Sequence, residues 1–511
     1  MSQSGGLKRS LGLWAIVGLG LGYMTPTVLF DTFGIVTKQT HGVVPLAYLV
    51  ALVVMIFTAI SYGRMAKLFP TAGSSYTYAR EAIHPKVGFL VGWAALLDYL
   101  LLPLVNAVII RLYMVSLFPS VPGWIWVVVF VAFITGLNVW SLNSTAKVNF
   151  TLVAFAVVMI AAFILLAVVQ LSRGMGSGTL FSAAPFYHSG IGLTAVLTGA
   201  TVVCFSFIGF DAITMYAEEA RKTTDVAKAI IICLLIGGGI FLAAGHVAQS
   251  VFPNVNGFHM TDDTLPEMAL KVGGKFFQVL FMSAAFAATV ASALASHASV
   301  SRLLHVMGRN GVLRPRRLWG YVSPSRHTPV YATIAVGLVS LLAITPSLEL
   351  VSSMINFGAL IAFTAVNLSV LAWFAVRRRQ FRTARQVATN IVLPVIGMAM
   401  TGLLWSFLHA DALISGLVWV SIGVIYAVVL TKVTGKRLTE LDMDQTVAAE
   451  AEEVLAAEPR TAPRVLAGVQ PAGPPGPATR LTGTTPHRDR RQARSRCRVI
   501  PGAPRPGRGS G

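Results

Sequence analysis

Twelve long apolar segments constrain this sequence more than any other feature. A helix that crosses a bilayer needs about 20 largely apolar residues. The candidate spans are residues 11–36, 43–63, 87–117, 123–142, 148–171, 193–217, 229–251, 276–304, 329–346, 351–376, 388–408 and 412–431. Charged residues make up only 12% of the chain and hydrophobic residues 55%, more than a soluble globule can bury. We therefore predict an all-α integral membrane protein with about twelve transmembrane helices.

Positive charges in the connections predict the orientation of these helices. Lys and Arg are concentrated before the first span and after the second, fourth, sixth, eighth and tenth spans. Cytoplasmic loops carry such an excess, so we expect both termini on the cytoplasmic side of the plasma (inner) membrane. The predicted organisation is a cytoplasmic N-terminus at 1–10, a twelve-helix domain at 11–431 and a disordered, basic cytoplasmic tail at 432–511.

The net charge of +20 does not indicate a nucleic-acid-binding protein. Of the 40 Lys and Arg residues, 14 lie after residue 431, and nearly all the others lie in short loops between apolar spans. Binding to a phosphate backbone needs a continuous basic patch, and none is present in this pattern. The lipid bilayer is therefore the expected partner of the protein surface, and no obligatory protein partner is indicated.

Two spans contain residues that interrupt helices. Span one has Gly18, Gly20 and Gly22 followed by Pro26, and span six has Gly209 within the stretch FSFIGFD. Interrupted helices in corresponding positions of two five-helix halves are typical of transporters that have inverted repeats and a site at mid-membrane. The alternative is that these glycines only allow close helix packing. Because the interruptions are paired at positions one and six, we favour the broken-helix site.

Asp98 is the clearest ionisable residue inside a predicted span. It lies eleven residues into span three, at roughly 17 Å depth for a rise of 1.5 Å per residue. A charge at that depth is costly and is a functional hypothesis by default. No cation is near it in the sequence, so a cationic substrate is one candidate partner. A structural hydrogen bond, or a permanently protonated acid, is the alternative.

Other ionisable residues are harder to interpret. Asp211 follows the interruption of span six, where a carboxylate either caps free N–H groups or binds substrate or a proton. Asp31 is expected to face a vestibule near the outer end of span one. Glu218 and Glu219 are expected to be solvated or to pair across a gate.

Enzymes, metal sites and ATP-driven pumps are not indicated. The motifs HExxH, GxSxG and GxxxxGK[ST] are all missing from the sequence. The three cysteines form no metal-binding pattern, so neither a cofactor nor a metal ion is expected. His246 and His297 are interpreted as residues of the helical core. A channel is disfavoured because broken helices one and six indicate alternating access.

In several sequence blocks the chain resembles the amino acid–polyamine–organocation (APC) superfamily, and within it the bacterial putrescine importers. The resemblance runs from about Leu7 to about residue 431. It rests on MTPTVLFDTFGIV (24–36), FTAISYGRMAKLFPTAGSSYTYA (57–79), HPKVGFLVGWAALLDYLLLP (84–103), TGATVVCFSFIGFDAIT (198–214) and ASALASHASVSRLLHVMGRNGV (291–312). It implies a LeuT-like inverted 5+5 repeat and proton-driven uptake of a small organic cation, such as putrescine. A cationic amino acid permease or an amine/amino acid exchanger is the alternative.

The resemblance also implies roles for single residues. Phe205 matches the aromatic gate at the start of the broken sixth helix, and Asp211 matches an acidic residue that is implicated in coupling. The sequence departs from the family at Gly22-Tyr23-Met24, where amino acid transporters often have a small Gly-Ser-Gly-type turn that grips a carboxylate. That departure suits a substrate without a carboxylate. A lysine inside the fifth helix of some relatives is also absent, since Lys147 lies at the helix end.

The predicted site combines the interruptions with Asp98. The predicted substrate-binding residues are Gly22, Tyr23, Met24, Asp98, Tyr99, Phe205, Ser206 and Gly209, and the predicted coupling or gating residues are Phe205 and Asp211.

Overall fold

A computed structural model of the chain describes residues 11–71, 74–140, 145–187, 189–258, 263–309, 313–323, 326 and 328–434. The predicted cytoplasmic N-terminus at 1–10 lies outside the described residues, and so does the predicted tail from residue 435 onward. Within the described part, the chain is helical throughout and forms no β-sheet; a single β-bridge joins Leu11 to Ala220. The prediction of an all-α fold is confirmed for these residues.

Sixteen α-helices and four short helical segments of other types follow one another in the described ranges, and one of the four is a 3-10 segment (Leu341–Ile344) after α12. The first eight α-helices are α1 (Leu13–Met24), α2 (Val28–Gln39), α3 (Val44–Leu68), α4 (Ser74–Ala82), α5 (Pro85–Leu117), α6 (Gly123–Trp140), α7 (Thr145–Ser172) and α8 (Leu193–Phe207). The next eight are α9 (Thr223–Val251), α10 (Leu265–Arg309), α11 (Arg316–Trp319), α12 (Val330–Ser340), α13 (Leu348–Val370), α14 (Ala384–Val387), α15 (Leu393–Trp405) and α16 (Ala410–Thr434). A 3-10 turn (Ala212–Tyr216) follows α8, and π-helical turns (Leu371–Arg377 and Ala388–Val392) follow α13 and α14.

Ten helices in the described part of the chain are long and apolar enough to cross a membrane, some of them including an adjoining short helical segment. The pair α1 and α2, bent by 43°, makes an eleventh span if it is counted as one. The ninth predicted span (329–346) corresponds to a shorter apolar helix, Val330–Ile344. The chain is thus a multi-pass membrane protein, and its twelfth span stays a prediction.

Burial separates central helices from peripheral ones. In the most apolar window of α10, 72% of the residues are buried, whereas the corresponding share in α16 is 17%. Apolar side chains on α16, such as Ile425 and Val418, are more than half exposed. Since a lipid tail is as apolar as these side chains, α16 lies at the periphery of the bundle, and α10 lies at its centre.

The long helix α10 is in fact two helices that meet at Gly274. This glycine has φ 75°, a left-handed conformation that costs a residue with a Cβ atom free energy. The predicted eighth span (276–304) begins just after this kink. The shorter helix before it begins at Leu265, directly after Asp263 and Thr264, and the Thr264 hydroxyl donates to the Phe30 carbonyl on α2.

Candidate functional site

The first helix breaks at Thr25, Pro26 and Thr27. Thr25 has φ 48° and its N–H donates to the Gly22 carbonyl, which ends α1. Pro26 has no N–H to continue the helical ladder, and α2 begins at Val28.

This position corrects the prediction that the three glycines themselves weaken the helix. Gly18 and Gly20 lie within regular α1, where a methyl group on Gly18 would overlap Phe150 and one on Gly20 would overlap Ile213 and Cys233. Close packing, the alternative considered for these glycines, therefore accounts for both of them. The proline and the residues beside it supply the interruption.

The second break lies between α8 and the 3-10 turn. α8 ends at Phe207, Ile208 is extended, and Gly209 has φ 135°. That backbone conformation is accessible almost only to glycine. Asp211 then immediately precedes the 3-10 turn. The predicted interruption of span six is thus found at Gly209, whereas Gly199 lies inside α8 and packs against Thr40.

The two breaks touch each other. A methyl group built on Gly209 would lie 2.8 Å from the Met24 backbone nitrogen and 3.1 Å from the Tyr23 Cβ atom. Both distances are well below ordinary contact between non-bonded atoms. The interrupted backbone of α8 therefore lies directly on the last turn of α1, and a substituent at Gly209 would separate them.

A small cavity lies beside this contact. It is lined by Tyr23, Met24, Thr25, Val28, Leu102, Val105, Asn106, Ile109, Phe205, Ile208 and Ser292. Its volume is about 10 Å³, which is about the space that one water molecule requires. The helices have closed around it, since Tyr23 and Phe205 are 2% and 6% exposed. Of the predicted substrate-binding residues, Tyr23, Met24 and Phe205 line this cavity.

The sequence prediction missed three polar residues of the cavity wall, Thr25, Asn106 and Ser292, and the last two bond to each other. The Asn106 amide donates to the Ser292 hydroxyl at 3.1 Å, and that hydroxyl donates to the Tyr23 carbonyl at 3.0 Å. These bonds tie α5, α10 and the end of α1 together. Asn106 could have been found, because it is a polar side chain in an apolar span two turns beyond Asp98. Ser292 gave no such signal, since α10 contains many small residues.

Asp211 and Tyr99 form a polar contact on the inner side of the cavity, toward the end of the bundle where α1 begins. The Tyr99 hydroxyl donates to Asp211 Oδ2 at 2.7 Å, and the Gly209 N–H donates to Asp211 Oδ1 at 3.1 Å. Asp211 is 1% exposed. The carboxyl group therefore fixes the broken segment of α8 to α5, and it remains adjacent to Ile208 in the cavity wall.

Asp98 precedes the cavity residue Leu102 by four positions on α5, so it lies one turn further inward. Residues at this spacing are on the same side of a helix. It is 1% exposed, and neither of its carboxyl oxygens has a hydrogen-bond partner among the described residues. It interacts electrostatically with Asp211. Asp98 also packs on α13, where a methyl group on Gly358 would lie 3.0 Å from the Asp98 Cβ atom. The structure thus brings two buried carboxyl groups together just inward of the cavity.

Of the predicted substrate-binding residues, Asp98, Tyr99 and Gly209 do not line this cavity, and neither do Ser206 and Gly22. The Ser206 hydroxyl is hydrogen-bonded to the Tyr48 hydroxyl on α3 at 3.0 Å. Gly22 contributes its carbonyl to the end of α1, as the acceptor of the Thr25 N–H. Their contacts are those of residues that hold the breaks in place.

A largely buried ion pair lies at the inner end of the bundle. Arg302 on α10 lies 2.6 Å from Glu219, and its guanidinium stacks on the Tyr216 ring at 4.7 Å. Leu11 adds two backbone hydrogen bonds, to Glu219 and Arg221, which fasten the start of α1 to the segment after the 3-10 turn. Glu219 is therefore ion-paired with Arg302, and its pairing across a gate stays a prediction.

The two histidines inside spans donate to backbone carbonyls, His246 to Leu180 and His297 to Thr333, each at 2.9 Å. Asp31 is buried, with 1% exposure, and so does not face an open vestibule in this structure. Among the described residues, no three His, Cys, Asp or Glu side chains are grouped to hold a metal ion.

Comparison with known proteins adds independent findings. The family model described as Amino acid permease matches residues 16–438. The low-affinity putrescine importer PlaP of Escherichia coli (strain K12) is 44% identical over 427 residues, which cover 83% of this chain and 94% of the relative.

More distant relatives include two amino acid transporters. The branched-chain amino acid permease BcaP of Bacillus subtilis is 26% identical over 82% of this chain and 92% of its own length. Cationic amino acid transporter 4, vacuolar, of Arabidopsis thaliana is 27% identical over 71% of this chain and 63% of its own length.

Proposed function

Because the chain belongs to the amino acid permease family of the APC superfamily, we propose that it is a secondary active importer of a small organic cation. The proposed substrate is putrescine or a closely related polyamine. The 44% identity to a putrescine importer over nearly all of that relative supports this choice. The more distant cationic amino acid transporters support the broader class of cationic substrates.

Asp98 carries the proposal. A buried carboxyl group normally has hydrogen-bond or charge partners, because an isolated one is costly in an apolar environment. Asp98 has none among the described residues, and its charged neighbour is a second carboxyl group, Asp211. An ammonium group offers three N–H donors and a positive charge. A cationic substrate supplies what this pair of carboxyl groups lacks.

A diamine suits two carboxyl groups better than a single charge does. Both amines of putrescine resemble the lysine side chain and are protonated at neutral pH. One bound dication balances the charges of Asp98 and Asp211, so that the loaded site within the membrane carries no net charge. We propose that Asp98 and Asp211 are the acceptors for the two ammonium groups, and that Tyr99 orients Asp211.

The break in α1 supports a substrate that lacks a carboxylate. Free N–H groups at a helix break bind anions. Here the Thr25 N–H donates to the Gly22 carbonyl and the Val28 N–H donates to the Thr25 carbonyl. The Gly209 backbone covers the Met24 nitrogen. With these N–H groups bonded and with bulky Tyr23 and Met24 beside the break, this part of the site suits a substrate that has no carboxylate.

We further propose the finer features of the transport cycle. These are twelve spans arranged as an inverted 5+5 repeat, termini on the cytoplasmic side of the inner membrane, and alternating access coupled to protons. Phe205 acts as the gate above the cavity, and the ion pair of Arg302 with Glu219 closes the inner end. The membrane potential alone favours inward movement of a dication by about 4.6 kcal/mol per 100 mV.

Uptake of radiolabelled putrescine tests the function directly. The protein is expressed in bacterial cells that lack their own putrescine importers, with and without an uncoupler. We expect saturable uptake that diamines inhibit and that the uncoupler abolishes. Asp98→Asn should raise the KM by about tenfold or more, since a hydrogen bond to a charged group contributes about 1.5–3 kcal/mol. Asp411→Asn, an exposed carboxyl on α16, serves as the control and should leave the KM unchanged.

Uptake measurements in the same cells distinguish a putrescine importer from the alternative, a cationic amino acid permease or an exchanger. Inhibition by arginine but not by diamines would favour the permease. Faster uptake after preloading with ornithine or agmatine would favour the exchanger. Absence of saturable putrescine uptake would refute the polyamine proposal.

A further inference from the structure

A third buried carboxyl group lies outward of the cavity. Asp31 on α2 is 1% exposed, and its Oδ1 atom accepts a hydrogen bond from the Tyr113 hydroxyl at the end of α5. Its Oδ2 atom is buried and has no hydrogen-bond partner in the described ranges of the chain. A buried carboxylate oxygen without a donor costs free energy unless a ligand supplies one.

Asp263 lies beside Asp31. The Thr264 hydroxyl donates to the Phe30 carbonyl at 2.5 Å, so the residues that precede Thr264 and follow Phe30 are brought together. Asp263 is 8% exposed and interacts electrostatically with both Asp31 and Tyr113. The groups that act on the Asp31 carboxyl are therefore a tyrosine hydroxyl and a second acid.

The position of this pair relates it to the cavity. Val28 and Ile109 line the cavity, and they precede Asp31 and Tyr113 by three and four residues on α2 and α5. Residues at these spacings share one side of a helix, and one turn rises about 5 Å. Asp31 and Tyr113 thus lie about one turn outward of the cavity wall, on the side opposite Asp98 and Asp211.

Two nearby carboxyl groups repel each other in a medium of low dielectric constant, and a cation between them removes that repulsion. A primary ammonium group also donates to the Asp31 oxygen that lacks a donor. We propose that Asp31, Asp263 and Tyr113 form an outer site for a primary alkylammonium group, which holds one end of the substrate before it enters the cavity. The outer site deepens the proposed function, because the identity of the amine rests on that function.

Initial rates of radiolabelled putrescine uptake test the outer site. Wild type, Asp31→Asn, Asp31→Glu and Asp411→Asn are expressed in cells without their own importers, and membrane abundance is measured for each variant. Asp411 is the matched control because its carboxyl is exposed and lies where α15 turns into α16, at the end of the bundle where α13 begins. The helix of Asp31, α2, finishes at that same end, because Gln39 at the end of α2 contacts Glu349 at the start of α13.

The KM should rise about tenfold in Asp31→Asn with a maximal rate within about twofold of wild type. Asp31→Glu should stay within about threefold of wild type, and Asp411→Asn should match it. An unchanged KM in Asp31→Asn would overturn the outer site. A reduced maximal rate with an unchanged KM, in both Asp31 variants, would show a structural or proton-carrying carboxyl instead.

Two further outcomes, a variant that does not reach the membrane and a wild type that takes up no putrescine, are each resolved by another measurement. If Asp31→Asn does not reach the membrane, the Asp263→Asn variant is measured instead. We expect its KM to rise several-fold, and an unchanged KM would refute the outer site. If wild type takes up no putrescine, the proposed function fails rather than the outer site. The same KM comparison is then made with radiolabelled arginine, the alternative cationic substrate.

Discussion

Gly209→Ala perturbs the contact between the two helix breaks. Gly209 has φ 135°, and holding a residue with a Cβ atom in such a conformation costs about 1–3 kcal/mol. The added methyl group would also lie 2.8 Å from the Met24 nitrogen, and overpacking of this kind costs about 1–3 kcal/mol more. Together these contributions destabilise the closed arrangement by at least about 2 kcal/mol, a factor of about 30 in its population.

The assay is putrescine uptake normalised to the amount of protein in the membrane, with the thermal stability of the purified protein as a second readout. Gly239→Ala is the matched control, because Gly239 lies within α9 and a methyl group there meets no atom within 4 Å. Alanine is preferred over glycine in a helix by about 1 kcal/mol, so this control should be neutral or stabilising. If Gly209→Ala had the same uptake and the same thermal stability as wild type, the contact between the breaks would be refuted.

Three further variants test neighbouring parts of the site. Tyr99→Phe removes the 2.7 Å hydrogen bond to Asp211 and should change the KM for putrescine by about tenfold. Tyr187→Phe, in an exposed loop, is the control, and equal KM values in the two variants would contradict this role of Tyr99. Ser292→Ala should lower the free energy of unfolding by about 1 kcal/mol in a chemical denaturation series, while Ser283→Ala, whose exposed hydroxyl bonds only its own helix, should change it little. Glu219→Gln should open the inner end and speed thiol labelling of a Ser299→Cys variant without native cysteines, because Ser299 lies beside Tyr216 at 3.4 Å. Equal labelling rates in Glu219→Gln and in Glu267→Gln, whose partner Lys271 lies far from that end, would be evidence against the inner ion pair as a closure.

The membrane fold and the position of the breaks were accessible from sequence because they depend on local chemistry. A run of about 20 apolar residues is sufficient to indicate a spanning helix, and ten such helices are present in the described part of the chain. Pro26 interrupts α1 and Gly209 interrupts α8 for reasons of backbone geometry. Gly18 and Gly20 were wrongly taken as part of the first interruption, because a glycine used for packing looks the same in sequence as one used for a bend.

The partners of polar groups were not accessible, because they depend on how distant helices pack. Asn106 and Ser292 are 186 positions apart, and their hydrogen bond exists only because α5 and α10 cross beside the break in α1. Likewise, Arg302 lies in a loop-proximal basic cluster in the sequence, and its pairing with Glu219 needs the arrangement of α10 and the 3-10 turn. The placement of Asp98 one turn inward of the cavity, rather than in its wall, also depends on this packing.

Calorimetric titration of the purified protein with putrescine and with 1-aminobutane tests most directly whether two carboxyl groups recognise a dication. The two ligands share a four-carbon chain, and 1-aminobutane lacks one ammonium group. We predict that putrescine binds at least about tenfold more tightly to wild type, and that Asp98→Asn binds the two ligands with similar affinity. Equal affinities of wild type for the two amines would contradict recognition of both ammonium groups.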